Sequence, residues 1–147
     1  MNNKLVSFED IQKEVEISYP RIISTVFKRC RIKRSDDLGS CHKSIIDLSD
    51  VFIRFLSIVQ LQECNAQLPD LQNRLPQKKK SLDFLERPSM GGWLSLFRIL
   101  SNLDIDEKTA PWTYTVSSWY NTGKSPDNRS IIELLDDIEG VNVNTKT

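Results

Sequence analysis

Apolar positions recur at helical spacing over most of this chain. The clearest block is Ser89-Met90-Gly91-Gly92-Trp93-Leu94-Ser95-Leu96-Phe97-Arg98-Ile99-Leu100, with Pro88 before it and the pattern running on to Leu103. Trp93, Leu96, Leu100 and Leu103 fall on one face of a helix. Leu94, Phe97 and Ile99 make that helix apolar nearly all round, which predicts a place inside the molecule. Pro88 and the glycine pair interrupt whatever precedes, and Ser89 can accept hydrogen bonds from the first free amides. Gly91 and Gly92, lacking side chains, let another helix approach the backbone.

Nearer the start, Ser7 and Asp10 predict a variant capping box that opens a helix. Phe8, Ile11, Val15, Ile22 and Val26 hold one face of it, and Glu9, Asp10, Lys13, Glu14 and Glu16 the other. Pro20 falls inside this pattern and either kinks the helix or divides it near Ser18-Tyr19. The apolar stripe resumes in phase, which favours a kink or a short break. Residues 35–40 read as a loop.

A second long helix is expected from Cys41 or Ser44 to Ala66. Its core stripe is Ile45, Leu48, Phe52, Phe55 and Val59, widened by Ile46, Val51, Leu56, Ile58 and Leu61. Asp47, Asp50, Arg54 and Gln62 mark its polar side. From Gln67 to Arg87 the pattern weakens around Pro69 and Pro76. Leu68, Leu71 and Leu75 can support one short helix, and residues 81–85 another turn.

After an acidic loop, Asp104-Ile105-Asp106-Glu107, Pro111 is well placed at a helix N-terminus. Trp112, Val116, Trp119 and Tyr120 share a face of that short helix. A strand through Trp112, Tyr114, Val116 and Tyr120 is the competing reading. A last helix is expected from Asn128 to Ile138, apolar at Ile131, Leu134, Leu135 and Ile138 and ended by Gly140. Residues 141–147 read as a flexible tail. The sum is an all-α bundle of about five helices in a single domain.

Composition narrows the class. A chain of 147 residues, 39% hydrophobic and 27% charged, fits one globular domain. Lysine plus arginine equals aspartate plus glutamate, 20 each, which argues against a dedicated nucleic-acid binder but leaves room for a local basic face. Cys30, Cys41 and Cys64 are odd in number and widely spaced, so they read as free thiols in a reducing cytoplasm rather than a disulfide framework. No Cys-x-x-Cys pair is present and His42 is the single histidine, so no zinc or other metal site and no cofactor is expected. Neither a signal-peptide pattern nor a run of ~18 apolar residues is present, so no membrane association is expected.

Candidate chemistry is sparse. Gly123-Lys124-Ser125 looks like the end of a phosphate-binding loop, but Ser118 stands where that loop needs glycine and Pro126 follows at once. No Gly-x-Ser-x-Gly turn accompanies His42. Asp36-Asp37 and Asp136-Asp137 are adjacent in sequence and point differently on a helix, so neither is an acid/base pair. The tryptophans and phenylalanines at helical spacing read as core. Lys28 to Arg34 holds five basic residues in seven, placed where cations oppose the negative end of a helix dipole.

The order of parts also resembles a known family. Leu48-x-x-Val51-Phe52-x-x-Phe55-Leu56 is followed by a linker and then Arg87-Pro88-Ser89-Met90-Gly91-Gly92-Trp93-Leu94-x-Leu96-Phe97-x-x-Leu100. The latter is similar to the Arg-Pro-Ser-Leu-Gly-x-Trp helix start of HEPN-like N-terminal domains in bacterial signalling and defence proteins. The resemblance covers about residues 40–105. It implies an antiparallel helical bundle, often dimeric, and in active members a metal-independent ribonuclease with an arginine, a short spacer and a histidine late in the domain. This chain departs from that motif. His42 precedes the second helix, seven residues separate it from Arg34, and the region from Trp119 to Asn128 holds no Arg-Asn-x-x-x-His.

The reading that follows is a non-catalytic protein-interaction or oligomerisation domain, a sensor or adaptor in a signalling or defence protein and able to form the N-terminal part of a larger one. Its expected interaction residues are Trp93, Phe97, Trp112, Trp119 and Tyr120, and its expected partner a protein or a second copy. The alternative is an RNA-binding or ribonuclease domain using Lys28, Arg29, Arg31, Lys33, Arg34, Lys78, Lys79 and Lys80. A small-molecule sensor with an apolar pocket is a third.

Overall fold

Among the described residues six helices follow one another: α1 (Phe8–Ser18), α2 (Arg21–Lys33), α3 (Leu38–Gln67), α4 (Met90–Ser101), α5 (Pro111–Thr122) and α6 (Ile131–Asn144). The structure, a computed structural model, describes residues 7–33, 37–71, 75, 88–124 and 128–144, and no strand occurs among them. The all-α class matches the helical periodicity of the sequence, with six helices for the expected five. The chain forms two compact units, Met1–Phe52 and Ile53–Thr147, and α3 contributes its first half to one and its second half to the other.

In the first unit α1 opens on the expected capping box. Ser7 Oγ accepts from the Asp10 N–H at 3.1 Å, and the Ser7 N–H donates to Asp10 Oδ2 at 3.3 Å. Pro20 divides the helix rather than kinking it. Tyr19, just before the proline, is pushed to extended backbone (φ −87°, ψ 154°), and the Ile23 and Ser24 amides then start α2 on the Pro20 carbonyl. The two helices pack together, with Arg31 and Glu16 paired at 3.3 Å. α3 begins at Leu38, earlier than expected, because Asp37 caps it: the Ser40 N–H donates to Asp37 Oδ1 at 2.8 Å.

The second unit is built on α4. Leu94, Phe97 and Leu100 have no exposed surface and Trp93 and Leu96 are buried, as the nearly all-round apolar pattern predicts. Ser89 caps this helix by accepting from the Gly92 N–H at 3.1 Å. The Phe97 ring meets the Tyr120 ring edge-to-face, centroids 5.4 Å apart, which ties α4 to α5. Residues 111–122 are helical, so the strand reading does not hold.

α3 turns a different side to this core than the one expected. Its buried positions in the second unit are Ile53, Leu56, Ser57, Gln60 and Cys64, whereas Phe55 and Val59 are half-buried and Ile58 is exposed. Small and polar side chains allow a close approach that a phenylalanine stripe would block. Ser57 Oγ donates to Ile53 O at 2.8 Å and reaches Trp93 O at 3.4 Å; Gln60 Nε2 donates to Ser101 Oγ at 3.4 Å; Cys64 Sγ and Thr113 Oγ1 lie 3.5 Å apart. Burial pushes the Cys64 thiol pKa up, so it stays protonated near neutrality.

α5 has no local N-cap, since Ala110 precedes it. Glu63 of α3 supplies one from a distance in sequence. Its carboxylate accepts from the Trp112 N–H at 3.1 Å, the Thr113 N–H at 2.7 Å and Thr113 Oγ1 at 2.8 Å. Leu68, Leu71 and Leu75 are buried, and their amides bond back along the chain at 2.9–3.0 Å. The turn expected at residues 81–85 lies outside the described residues.

α6 opens on a second capping box, between Ser130 and Glu133. It begins after Asn128, whose φ of 66° is not helical, and Arg129 pairs with Asp137 while Arg98 of α4 pairs with Asp136. Gly140 does not end it. The helix continues to Asn144, and Gly140 lacks the left-handed backbone that makes glycine a terminator.

Two expectations follow. Glu63→Ala leaves the Trp112 and Thr113 amides without their acceptor, and should lower unfolding free energy by about 2 kcal/mol in chemical denaturation. Asp37, Asp106 and Glu133 are all held below the usual carboxylate range, chiefly by hydrogen bonds from Ser40, Thr109 and Ser130 respectively. A depressed folded-state pKa stabilises above the unfolded value and loses that contribution as pH falls through the folded one. The melting temperature should therefore drop between about pH 5 and pH 2, and the combined Asp37→Asn, Asp106→Asn, Glu133→Gln variant should flatten that limb in circular dichroism.

Candidate functional site

α5 presents three distinct sides. Thr113, Val116 and Tyr120, spaced three and four apart, are buried and face the core. Trp112 and Trp119, seven apart, lie on one flank of that buried side and are 40% and 39% exposed. Tyr114, Ser117 and Asn121 lie on the other flank, beside a cleft against the end of α4. The Glu63 carboxylate anchors the helix at its Trp112 end. At the other end Gly123 closes in under Trp119: a Cβ there would stand 2.3 Å from Trp119 O and 3.1 Å from both Trp119 Cδ1 and Ile131 Cγ1.

The five expected interaction residues therefore separate. Trp93, Phe97 and Tyr120 are core side chains, buried by the packing of α4 against α5, and have no face to offer a partner. Trp112 and Trp119 remain exposed. Tyr114, which the sequence reading placed only in the rejected strand, is exposed as well. The signal that separates them is angular: Tyr120 lies within the Thr113–Val116 face, and the two tryptophans lie beside it.

The first unit carries the larger uncovered surface. Ile11, Ile17 and Tyr19 on or after α1, Ile22 and Ile32 on α2, and Leu38 and Ile45 on α3 are all exposed; Ile17 reaches 82% and Leu38 89%. Ile23 is the one buried apolar side chain among those described in this unit. Leu38, Gly39, Cys41, His42 and Ile45 edge an apolar cleft of about 450 Å³ at the start of α3. Cys30 and Cys41 are half-buried and not in a disulfide.

Among the described residues, the basic side chains of α2 do not gather on one face. Lys28 and Arg29 are exposed, Arg31 is paired with Glu16 and Lys33 is half-buried. Lys28 shares a side of α2 with Arg31, and Arg29 with Lys33, so the four form two pairs rather than one stripe. Arg34, Lys78, Lys79 and Lys80 lie outside the described residues. His42 is exposed on α3 at the edge of the apolar cleft. Among the described residues no group of three or more His, Cys, Asp or Glu could hold a metal ion, and no helix is long and apolar enough to cross a membrane.

Compared with protein-family models, with curated proteins and with solved structures, the chain matches none.

Gly123→Ala should force the Trp119 backbone and ring to shift, costing about 1–3 kcal/mol in the range typical of overpacking. The expected readout is a lower melting midpoint together with a changed tryptophan emission maximum; an unaltered emission with full stability would contradict the close approach.

Proposed function

We propose that this chain is a non-catalytic protein-interaction domain whose principal contact surface is the first unit. The observation that carries this reading is the exposure of Ile17, Ile22, Ile32, Leu38 and Ile45 in a unit that buries only Ile23 among its described apolar side chains. Apolar side chains left exposed in such number, beside so small a core, favour an interaction surface over a free-standing monomer. Each exposed isoleucine or leucine that a partner covers contributes about 1.5–3 kcal/mol of burial before the cost of association. Trp112 and Trp119 on α5 add a second set of aromatic anchors of the kind found at interface cores.

The likeness of residues 87–100 to the helix start of HEPN-like domains supports placement of the chain as a sensor or adaptor in a signalling or defence protein, and self-association into a homodimer is the simplest partner choice. The surroundings of His42, which are Leu38, Gly39, Cys41 and Ile45, suit contact rather than proton transfer. The basic residues of α2, divided between two sides of the helix, favour an electrostatic rim over a nucleic-acid track.

The reading is tested by light scattering and sedimentation of the chain beside an Ile17→Asp, Leu38→Asp variant. Concentration-dependent self-association that the variant loses, at unchanged circular dichroism, is the expected result. A strict monomer at high concentration with identical behaviour in the variant would count against a first-unit contact surface. Salt-sensitive RNA binding lost on Lys28→Ala, Arg29→Ala would replace it with the nucleic-acid reading.

A further inference from the structure

The two helices that open the first unit carry opposite charge. α1 holds Glu9, Asp10, Glu14 and Glu16 against Lys13 alone, whereas α2 holds Arg21, Lys28, Arg29, Arg31 and Lys33 and no acidic residue. Within one copy the two helices pack against each other, and Glu16 and Arg31 pair there at 3.3 Å. Opposite charge thus already matches one helix to the other, and that contact uses only part of each.

The outer surface of α2 has the layout of a helix seam. Ile22, Thr25, Arg29 and Ile32, spaced three, four and three, are exposed and form one row, with an isoleucine at each end 57% and 56% exposed. Lys28 borders the row on one side and Lys33 on the other. In helix pairs an apolar row supplies the contact and charges along its edges choose the partner. On α1 the counterpart is the strongly exposed Ile17, with Glu14 three residues before it and Ile11 three before that, all exposed. Lys13 lies on the other flank of Ile17. Asp10 is engaged with Ser7 in the capping box, so Glu14 is the carboxylate this row offers.

A basic row that carries isoleucines calls for an acidic helix that carries them too, and this chain contains one. We propose that the outer row of α2 docks α1 of a second copy of this chain, isoleucine packed on isoleucine and Glu14 facing the Lys28 and Arg29 cations. The contact between copies repeats the charge match already made within each. A polyanion, lipid or nucleic acid, is a poorer occupant, because the acidic α1 packed beside α2 repels it. Two copies related by a two-fold axis make the contact twice, α1 on α2 and α2 on α1. This inference rests on the reading of the first unit as the contact surface, and names what covers it.

The test is sedimentation of the full chain beside two charge-reversed variants, Glu14→Lys and the pair Lys28→Glu, Arg29→Glu. The parent should self-associate, and less so as salt is raised. Each variant alone should associate about tenfold more weakly or worse, since like charges then face each other. An equimolar mixture of the two should restore association, because the reversed α1 of one meets the reversed α2 of the other. All three positions are exposed, so circular dichroism should match the parent. The neutral variants Glu14→Gln and Lys28→Gln, Arg29→Gln should weaken association less and should not rescue one another when mixed. Association that the reversed variants keep but Ile17→Asp, Leu38→Asp loses would overturn the pairing of α2 with α1 and leave the first-unit surface standing. A mixture no stronger than its components would also overturn the pairing. A strict monomer overturns both, and a monomer that binds phosphatidylserine vesicles through Lys28 and Arg29 would make a lipid surface the occupant instead.

Discussion

A half-buried carboxylate clamp sets the geometry of the second unit. α5 begins after Ala110, which has no side chain to cap it, and its first amides would otherwise be left without acceptors. Glu63, one turn before the end of α3, reaches them from a different helix. The contact fixes α5 along its own axis as well as against α3, because two successive amides and one hydroxyl must all find the same carboxylate. Everything α5 presents depends on it. The rotation that buries Thr113, Val116 and Tyr120 also sets Trp112 and Trp119 on one flank and Tyr114, Ser117 and Asn121 on the other.

The clamp works only because α3 comes close. Ser57, Gln60 and Cys64 form the side of α3 that meets α4 and α5, and Ser57 Oγ, Gln60 Nε2 and Cys64 Sγ each find a partner across the junction, while Gln60 Oε1 is buried without one. Buried polar groups of this kind stabilise little in net terms but are costly to leave unpaired, so they specify one arrangement over its neighbours. The larger side chains Phe55, Val59 and Ile58 are thereby turned outward to half-buried and exposed positions. The core of this unit is then supplied mainly by α4, whose Leu94, Phe97 and Leu100 are fully enclosed.

The two units divide the apolar content of the chain unequally. The second encloses most of the buried hydrophobic side chains, while the first displays isoleucines and a leucine on three amphipathic helices. That asymmetry leaves one unit with a packed interior and the other with apolar side chains exposed on its helices. The cleft beside Tyr114 belongs to the second unit and differs in kind, being lined by polar and apolar side chains together.

Much of this was written in the order of residues. Local signals depend on neighbours a few positions away, so Ser7 with Asp10, Ser89, Pro20, Pro111 and the apolar ring of residues 93–100 were all legible as helix starts, a break and a buried helix. The all-α class followed from the same periodicity. What could not be read were the choices made between helices. A stripe of phenylalanines looks like core in isolation, yet Ser57, Gln60 and Cys64 were buried in the second unit because close helix packing rewards small and hydrogen-bonded residues. The pairing of Glu63 with Trp112 and Thr113 spans about fifty positions, and no periodicity records it. Gly140 read as a stop because glycine permits the terminating conformation, but permission is not a requirement, and the helix ran on. The sequence by itself determined which segments coil and which of their sides are apolar. Only the tertiary structure decided which of those sides are covered, since coverage depends on partners that meet in space and not along the chain.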